Sequence, residues 1–262
     1  MGYLAADLKQ ALDPVALAQA GGLDPDPWQV SVLRSSVPRI LLLCSRQTGK
    51  STVTAFRALH RAVYYPGSTI LLIAPGLRQS QELFKKVVAA YQHLGRPVFA
   101  EGESSSTLYL ANGSRVISLP GGNAATVRAY SAVSLICIDE AARVNDELVA
   151  ALRPMLAVSG GSLLSLSTPA GKRGWFYRAW DAEPGWFKVR VSAADCPRIT
   201  AEFLAEELLA LGEVMFRQEY LVGEVGDEWL DAPERVFGAD AIKDVIVTDF
   251  EPLFRGDVDV DE

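Results

Sequence analysis

What the chain lacks narrows it first. Its three cysteines, Cys44, Cys137 and Cys196, are odd in number and far apart, with no C-x-x-C pair, which excludes a disulfide framework, a zinc knuckle and a redox dithiol. Apolar runs are only a few residues long, as in Ile40 to Cys44, against the ~18 that a membrane helix needs. The opening, with Asp7 ahead of Lys9 and no continuous apolar stretch, lacks the pattern of a secretory signal, so a cytoplasmic location is expected. Positive charge is in deficit: 25 Lys+Arg face 32 Asp+Glu, a net −7. A surface that coats nucleic acid throughout is excluded, because such binding rests on basic side chains neutralising phosphates; a local basic track is not. There is no internal repeat and no low-complexity tract. What is present is a 262-residue chain, 49% hydrophobic and 22% charged, enough for one large core with a small appendage.

Apolar spacing in residues 3–20 (Leu4, Leu8, Ala11, Leu12, Val15) predicts an amphipathic helix broken near Pro14 and ended by Gly21-Gly22. Asp26-Pro27 reads as an N-cap and first helical position. Buried strands are expected at 39–44, 69–74, 135–138, 162–166 and 187–191, and helices at 50–64, 80–94, 146–156 and 175–180. A hairpin pairs 108–110 with 116–119 around Asn112-Gly113. Strands alternating with helices imply an α/β fold, a mostly parallel sheet with helices on both faces. Residues 200–221 read as helical. The remainder, ending in a tail where Asp257, Asp259 and Asp261 alternate, reads as a charged linker.

Between the first strand and its helix lies Ser45-Arg46-Gln47-Thr48-Gly49-Lys50-Ser51-Thr52, preceded by Cys44 where G-x-x-x-x-G-K-[ST] has its first glycine. A turn of inward N–H groups at a helix N-terminus, a lysine and a hydroxyl are what a nucleotide phosphate with Mg²⁺ requires. After the strand at 135–138 come Asp139 and Glu140. A carboxylate there can serve Mg²⁺ with Ser51, and its neighbour can deprotonate an attacking water. ATP and Mg²⁺ are the expected cofactors.

These segments resemble the ATPase domain of the large terminase subunit of tailed bacteriophages, the motor that packages double-stranded DNA into the capsid. Ser45–Ser51 is similar to that family's variant phosphate loop, with an arginine inside and no first glycine. Pro27-Trp28-Gln29 resembles its adenine-reading segment, although Gln29 also suits an exposed helix face. Ala74-Pro75 with Gln79-Ser80, the triplet Ser167-Thr168-Pro169 and Phe216-Arg217-Gln218-Glu219-Tyr220 are similar to further family segments. The resemblance covers about residues 25–225 and implies a RecA-like P-loop NTPase fold. It implies a core at 1–199 with an N-terminal helical extension, and a helical lid and linker at 200–262 leading toward an absent nuclease domain.

The resemblance also implies roles. Glu140 is the base, Lys50 serves the phosphates, and Ser167 and Thr168 couple phosphate loss to motion. Arg128 is the candidate finger for a neighbouring subunit's site; Arg46 acting in cis is the alternative, Arg143 also lies close in sequence, and neither finger acting is the third possibility. Lys172, Arg173 and Arg178 are the local basic candidates for DNA, against a plain solvated helix face. Partners implied are double-stranded viral DNA, the portal protein, the small terminase subunit and a homo-oligomeric ring, a pentamer on the portal, in the host cytoplasm without a membrane. No nuclease activity is expected. The competing readings are a DEAD-like helicase, which needs a second RecA-like domain, and a non-catalytic nucleotide-dependent clamp, which has no use for Glu140.

Overall fold

The computed structural model describes residues 2–122 and 127–222. They belong to the first of two compact units, residues 1–230; the second, 231–262, lies outside the described residues, and with it the Asp257, Asp259 and Asp261 alternation. Eight strands form one sheet: β1 (Arg39–Cys44), β2 (Thr69–Ala74), β3 (Ala100–Glu103), β4 (Thr107–Leu110), β5 (Arg115–Pro120), β6 (Leu135–Asp139), β7 (Ser162–Ser167) and β8 (Phe187–Val191). Their order is β3-β4-β5-β2-β6-β7-β1-β8. The six strands from β5 to β8 are parallel; β3 and β4 pair antiparallel at one edge.

The apolar runs are explained by what covers them. Strand side chains alternate between faces, and here both faces are dry. Ile40, Leu42, Ile70, Leu72, Leu135 and Cys137 join one core with residues of α2 (Pro14–Ala20), α4 (Lys50–Tyr64) and α5 (Leu77–His93). Leu41, Leu43, Leu71, Ile73, Ile136 and Ile138 join the other with α6 (Asp146–Ala157) and α7 (Gly174–Asp181). The expected mostly parallel, doubly covered sheet is what forms.

Four details refine or differ from the sequence expectation. Strand β3 (AEGE) was not expected, since two acids and a glycine carry no strand signal; it survives as an edge strand with one neighbour. The hairpin loop has three residues: Gly113 N–H donates to the Leu110 carbonyl and only Gly113 has positive φ, so it is a type I turn closed by a left-handed glycine. Helix α1 (Gly2–Leu12) does break before Pro14, but its apolar stripe is not packed: Leu4, Leu8 and Leu12 are 77%, 57% and 77% exposed. α1 docks through polar groups, with Tyr64 donating to Asp7 and the His60 ring nitrogen meeting the Gln10 and Ala11 carbonyls. α5 also begins three residues early, at Leu77, where the Gln79 side chain accepts from Gly76 N–H.

Beyond the sheet, Thr200 caps α8 (Ala201–Leu211) by accepting from Phe203 N–H. After Gly212 follow α9 (Glu213–Phe216) and a π turn, Arg217–Leu221. Ala193, Phe216 and Tyr220 form a small separate core. Parallel register places the C-terminal ends of β6, β7, β1 and β8 side by side, with Leu166 opposite Asp139, Ser167 opposite Leu43 and Val191 opposite Cys44. Open α/β sheets bind ligands along this edge.

Candidate nucleotide and metal site

The loop from Ser45 to Gly49 joins β1 to α4 at that edge. It is tied down on both sides: Ser45 N–H donates to the Val191 carbonyl, Arg46 N–H to the Glu219 carbonyl, and the Thr48 hydroxyl to the Ser45 carbonyl at 3.2 Å. Gln47 and Gly49 take left-handed backbone (φ 59° and 91°), which turns the chain sharply into the helix. A Cβ at Gly49 would lie 2.9 Å from the Gln29 side-chain nitrogen, so glycine is required twice over. Cys44, where the motif has glycine, is wholly buried, and burial pushes its thiol up to about 12. It fills core below the loop, and the loop turns above it without a glycine there.

Lys50 Nζ stands 3.5 Å from Glu140 Oε1, and the Ser51 hydroxyl donates to Asp139 Oδ2 at 3.3 Å. Asp139 closes β6; its other oxygen accepts from Glu140 N–H, and burial pushes its carboxyl above the ordinary value. Glu140 takes left-handed backbone (φ 50°), strained for a side chain of its size. Its second oxygen meets Arg143 Nη1 at 2.5 Å. The same Arg143 nitrogen donates to Thr168 Oγ1 at 3.2 Å, and Ser167 Oγ accepts from Ala142 N–H. Lys50, Glu140, Arg143 and Thr168 thus form one chain of contacts from the phosphate loop to the end of β7.

The sequence candidates separate accordingly. Gln29 is buried rather than exposed; its carbonyl accepts from Asp26 N–H at 2.9 Å and its amide nitrogen faces Gly49. Ser45, Thr48, Gly49, Lys50, Ser51, Asp139, Glu140, Ser167 and Thr168 converge. Thr52 continues α4, its N–H on the Gly49 carbonyl. Arg46 turns to Glu219 of the π turn (Nε–Oε2 2.5 Å). Arg128 is exposed and lines a separate recess with Tyr130 and the second half of α6, so it is not brought to its own loop. Lys172 and Arg173 are exposed on the loop before α7, while Arg178 pairs with Asp146. Sequence reasoning missed Arg198. Its guanidinium grips both oxygens of Asp26 (3.0 and 2.7 Å) and reaches the Thr48 carbonyl at 3.4 Å. A lone arginine between β8 and α8 carries no local signal for this.

A parallel sheet with this loop and acidic strand end defines a P-loop NTPase fold. The family profile described as phage terminase large subunit matches residues 39–208, and the chain belongs to that family. Among curated proteins, the large terminase subunits of Thermus phage G20c and Thermus virus P23-45 are each 24% identical over 253 residues, covering 82% of this chain and 51% of theirs. The chain therefore spans about half the length of these relatives. The ATPase domain of the Thermus phage P74-26 large terminase superposes with TM-score 0.69 at 23% identity, over 77% of this chain and 94% of that one. The large terminase of a thermophilic bacteriophage, solved in complex with ADP, gives 0.65 at 14%, over 75% of this chain and 52% of that one. That of bacteriophage HK97 gives 0.63 at 17%, over 78% and 51%.

Proposed function

We propose that the chain is an ATP-hydrolysing motor domain that drives double-stranded DNA into a viral procapsid. The observation that carries this reading is the convergence of Lys50, Ser51, Asp139 and Glu140 at the carboxyl edge of the sheet. A clamp that only binds nucleotide has no need of Glu140 held in strained backbone beside Lys50. Gly49, Lys50 and the loop N–H groups hold the β- and γ-phosphates; Gln29 offers its amide nitrogen to the adenine side. Mg²⁺ fits the donor set, because Ser51 and Asp139 are hard oxygen donors and Mg²⁺ needs one or two such groups plus phosphates. Among the described residues no cluster of three or more His, Cys, Asp or Glu offers a rival metal site. When bound, the ion neutralises charge on the terminal phosphates.

Glu140 accepts the proton of the attacking water once Lys50 turns to the phosphates. Arg143 holds the far carboxylate oxygen and Thr168 reads its position, which supports the coupling role assigned to Ser167 and Thr168. Arg128, exposed, is the finger offered to the next subunit; Arg46 is committed to Glu219, which weighs against it as the cis alternative. Lys172, Arg173 and Arg178 are the DNA-facing candidates. A ring on the portal, five subunits, the small subunit as partner and a host-cytoplasmic location complete the proposal. No helix among the described residues is long and apolar enough to cross a membrane.

Glu140→Gln tests the core of this reading. Phosphate release is expected to fall by roughly 10²–10⁴ while binding of a fluorescent ATP analogue persists. Undiminished turnover in that variant would reject Glu140 as the base.

A further inference from the structure

We infer that a cavity of about 430 Å³ at the end of the sheet opposite the phosphate loop binds a small phosphate-bearing anion. Its floor is made by Ser134, Leu135 and Ser162, at the starts of β6 and β7, whose far ends carry Asp139 and Ser167. One wall is the second half of α4, with Arg57 and Arg61, while Lys50 begins the same helix. Arg61 lies eleven helical steps beyond Lys50, roughly 16 Å, so the two sites are distinct.

The charge in this cavity does not balance. Three guanidinium groups, Arg34, Arg57 and Arg61, line it with one carboxylate, Asp13, and Asp13 is spent on Arg34 (3.1 and 2.7 Å). Arg57 donates to the Val32, Leu33 and Ser35 carbonyls at 2.6, 3.1 and 3.0 Å. These satisfy its N–H groups at the end of α3 (Pro27–Arg34) but bring no net charge. Arg61, one turn on, lies 4.3 Å above the Tyr65 ring, and its Nε is buried with no hydrogen-bond partner. Among the described residues neither Arg57 nor Arg61 has a carboxylate in ion-pair range.

Like charges at i, i+4 repel, and a buried donor left unmade is costly. Burial, and beyond it the Arg61 charge, hold the Arg57 guanidinium below its ordinary value. A tetrahedral anion removes the first cost: it balances the Arg57 and Arg61 charges and supplies oxygens for the Ser134 and Ser162 hydroxyls on the floor. The recess is walled by α3, α4 and the starts of β6 and β7, which admits a small anion and excludes the body of a duplex.

Pyrophosphate is the probe, tested on Lys50→Ala protein so that the phosphate loop does not dominate. Its thermal midpoint is expected to rise saturably with pyrophosphate, by roughly 5–10 °C at a hundredfold excess over Kd. Adding Arg61→Gln should weaken affinity at least about tenfold, the loss of one charge-assisted bond, while Arg61→Lys retains part of it. Ser162→Asp, which places a carboxylate in the cavity, should raise the ligand-free midpoint and abolish the response. No saturable shift, or one unchanged by Arg61→Gln, would overturn the inference. So would duplex DNA binding that falls with Arg61→Gln while pyrophosphate does nothing, which would make the arginines a DNA contact.

Discussion

At the scale of single residues, Gly49 shows how one position can be committed to two demands. Its φ of 91° suits only glycine, and a methyl there meets the Gln29 amide at 2.9 Å. Gly49→Ala should therefore cost about 1–3 kcal/mol, read as a lowered denaturant midpoint. His60 carries a pH dependence. Burial holds its pKa below the ordinary 6.5, outweighing the two backbone carbonyls at its ring. The unfolded chain binds the proton first, so stability is full above about pH 6.5 and is lost as pH falls through the folded value. The melting midpoint should decline from pH 7 to 5, with a flatter decline in His60→Gln. The contiguous residues were legible in the sequence: Ser45–Ser51 and Asp139-Glu140 by their spacing, Ser167-Thr168 only through the family resemblance. Arg198 on Asp26, and Glu219 on Arg46, were not, because their partners lie some 170 residues away and only the fold joins them.

At the scale of elements, burial on both sheet faces separates strands that matter from helices that barely pack. Leu42 of β1 is wholly buried, and Leu42→Ala should cost about 2–5 kcal/mol. Leu8→Ala on α1, where the side chain is 57% exposed, should stay within about 0.5 kcal/mol. Chemical denaturation of the two variants checks both. The same contrast explains what could be read in advance. Runs such as RILLLC and TILLIA, short and bounded by breakers, read as doubly buried strands, whereas the period of α1 matches a packed helix and says nothing of whether a partner is there. Strand β3 was hidden for the opposite reason, since pairing with β4 and not its own residues makes it a strand.

At the scale of the whole molecule, the proposed finger would have to come from a second copy of the chain. Arg143 holds Glu140, Arg46 holds Glu219, and Arg128 lies exposed away from its own loop. If subunits complete one another, Arg128→Ala should lose roughly 10³–10⁵ in turnover. Mixing it with inactive Lys50→Ala protein should restore part of that turnover, since the Lys50→Ala subunit still offers Arg128 to its neighbour's intact phosphate loop. Turnover per subunit should also climb with protein concentration. A mixture as inactive as its components would place the finger elsewhere.

The strand order carries a consequence for how the protein comes off the ribosome. β1 is made early yet sits between β7 and β8, so one hydrogen-bonding edge stays open for about 120 further residues and the other for about 150. At ~5–20 residues per second that is a wait of roughly 8–30 s. Through it the phosphate loop hangs from an incompletely paired greasy strand, a natural client for a holding chaperone. The nucleotide site cannot be completed until β7 and β8 have both been made.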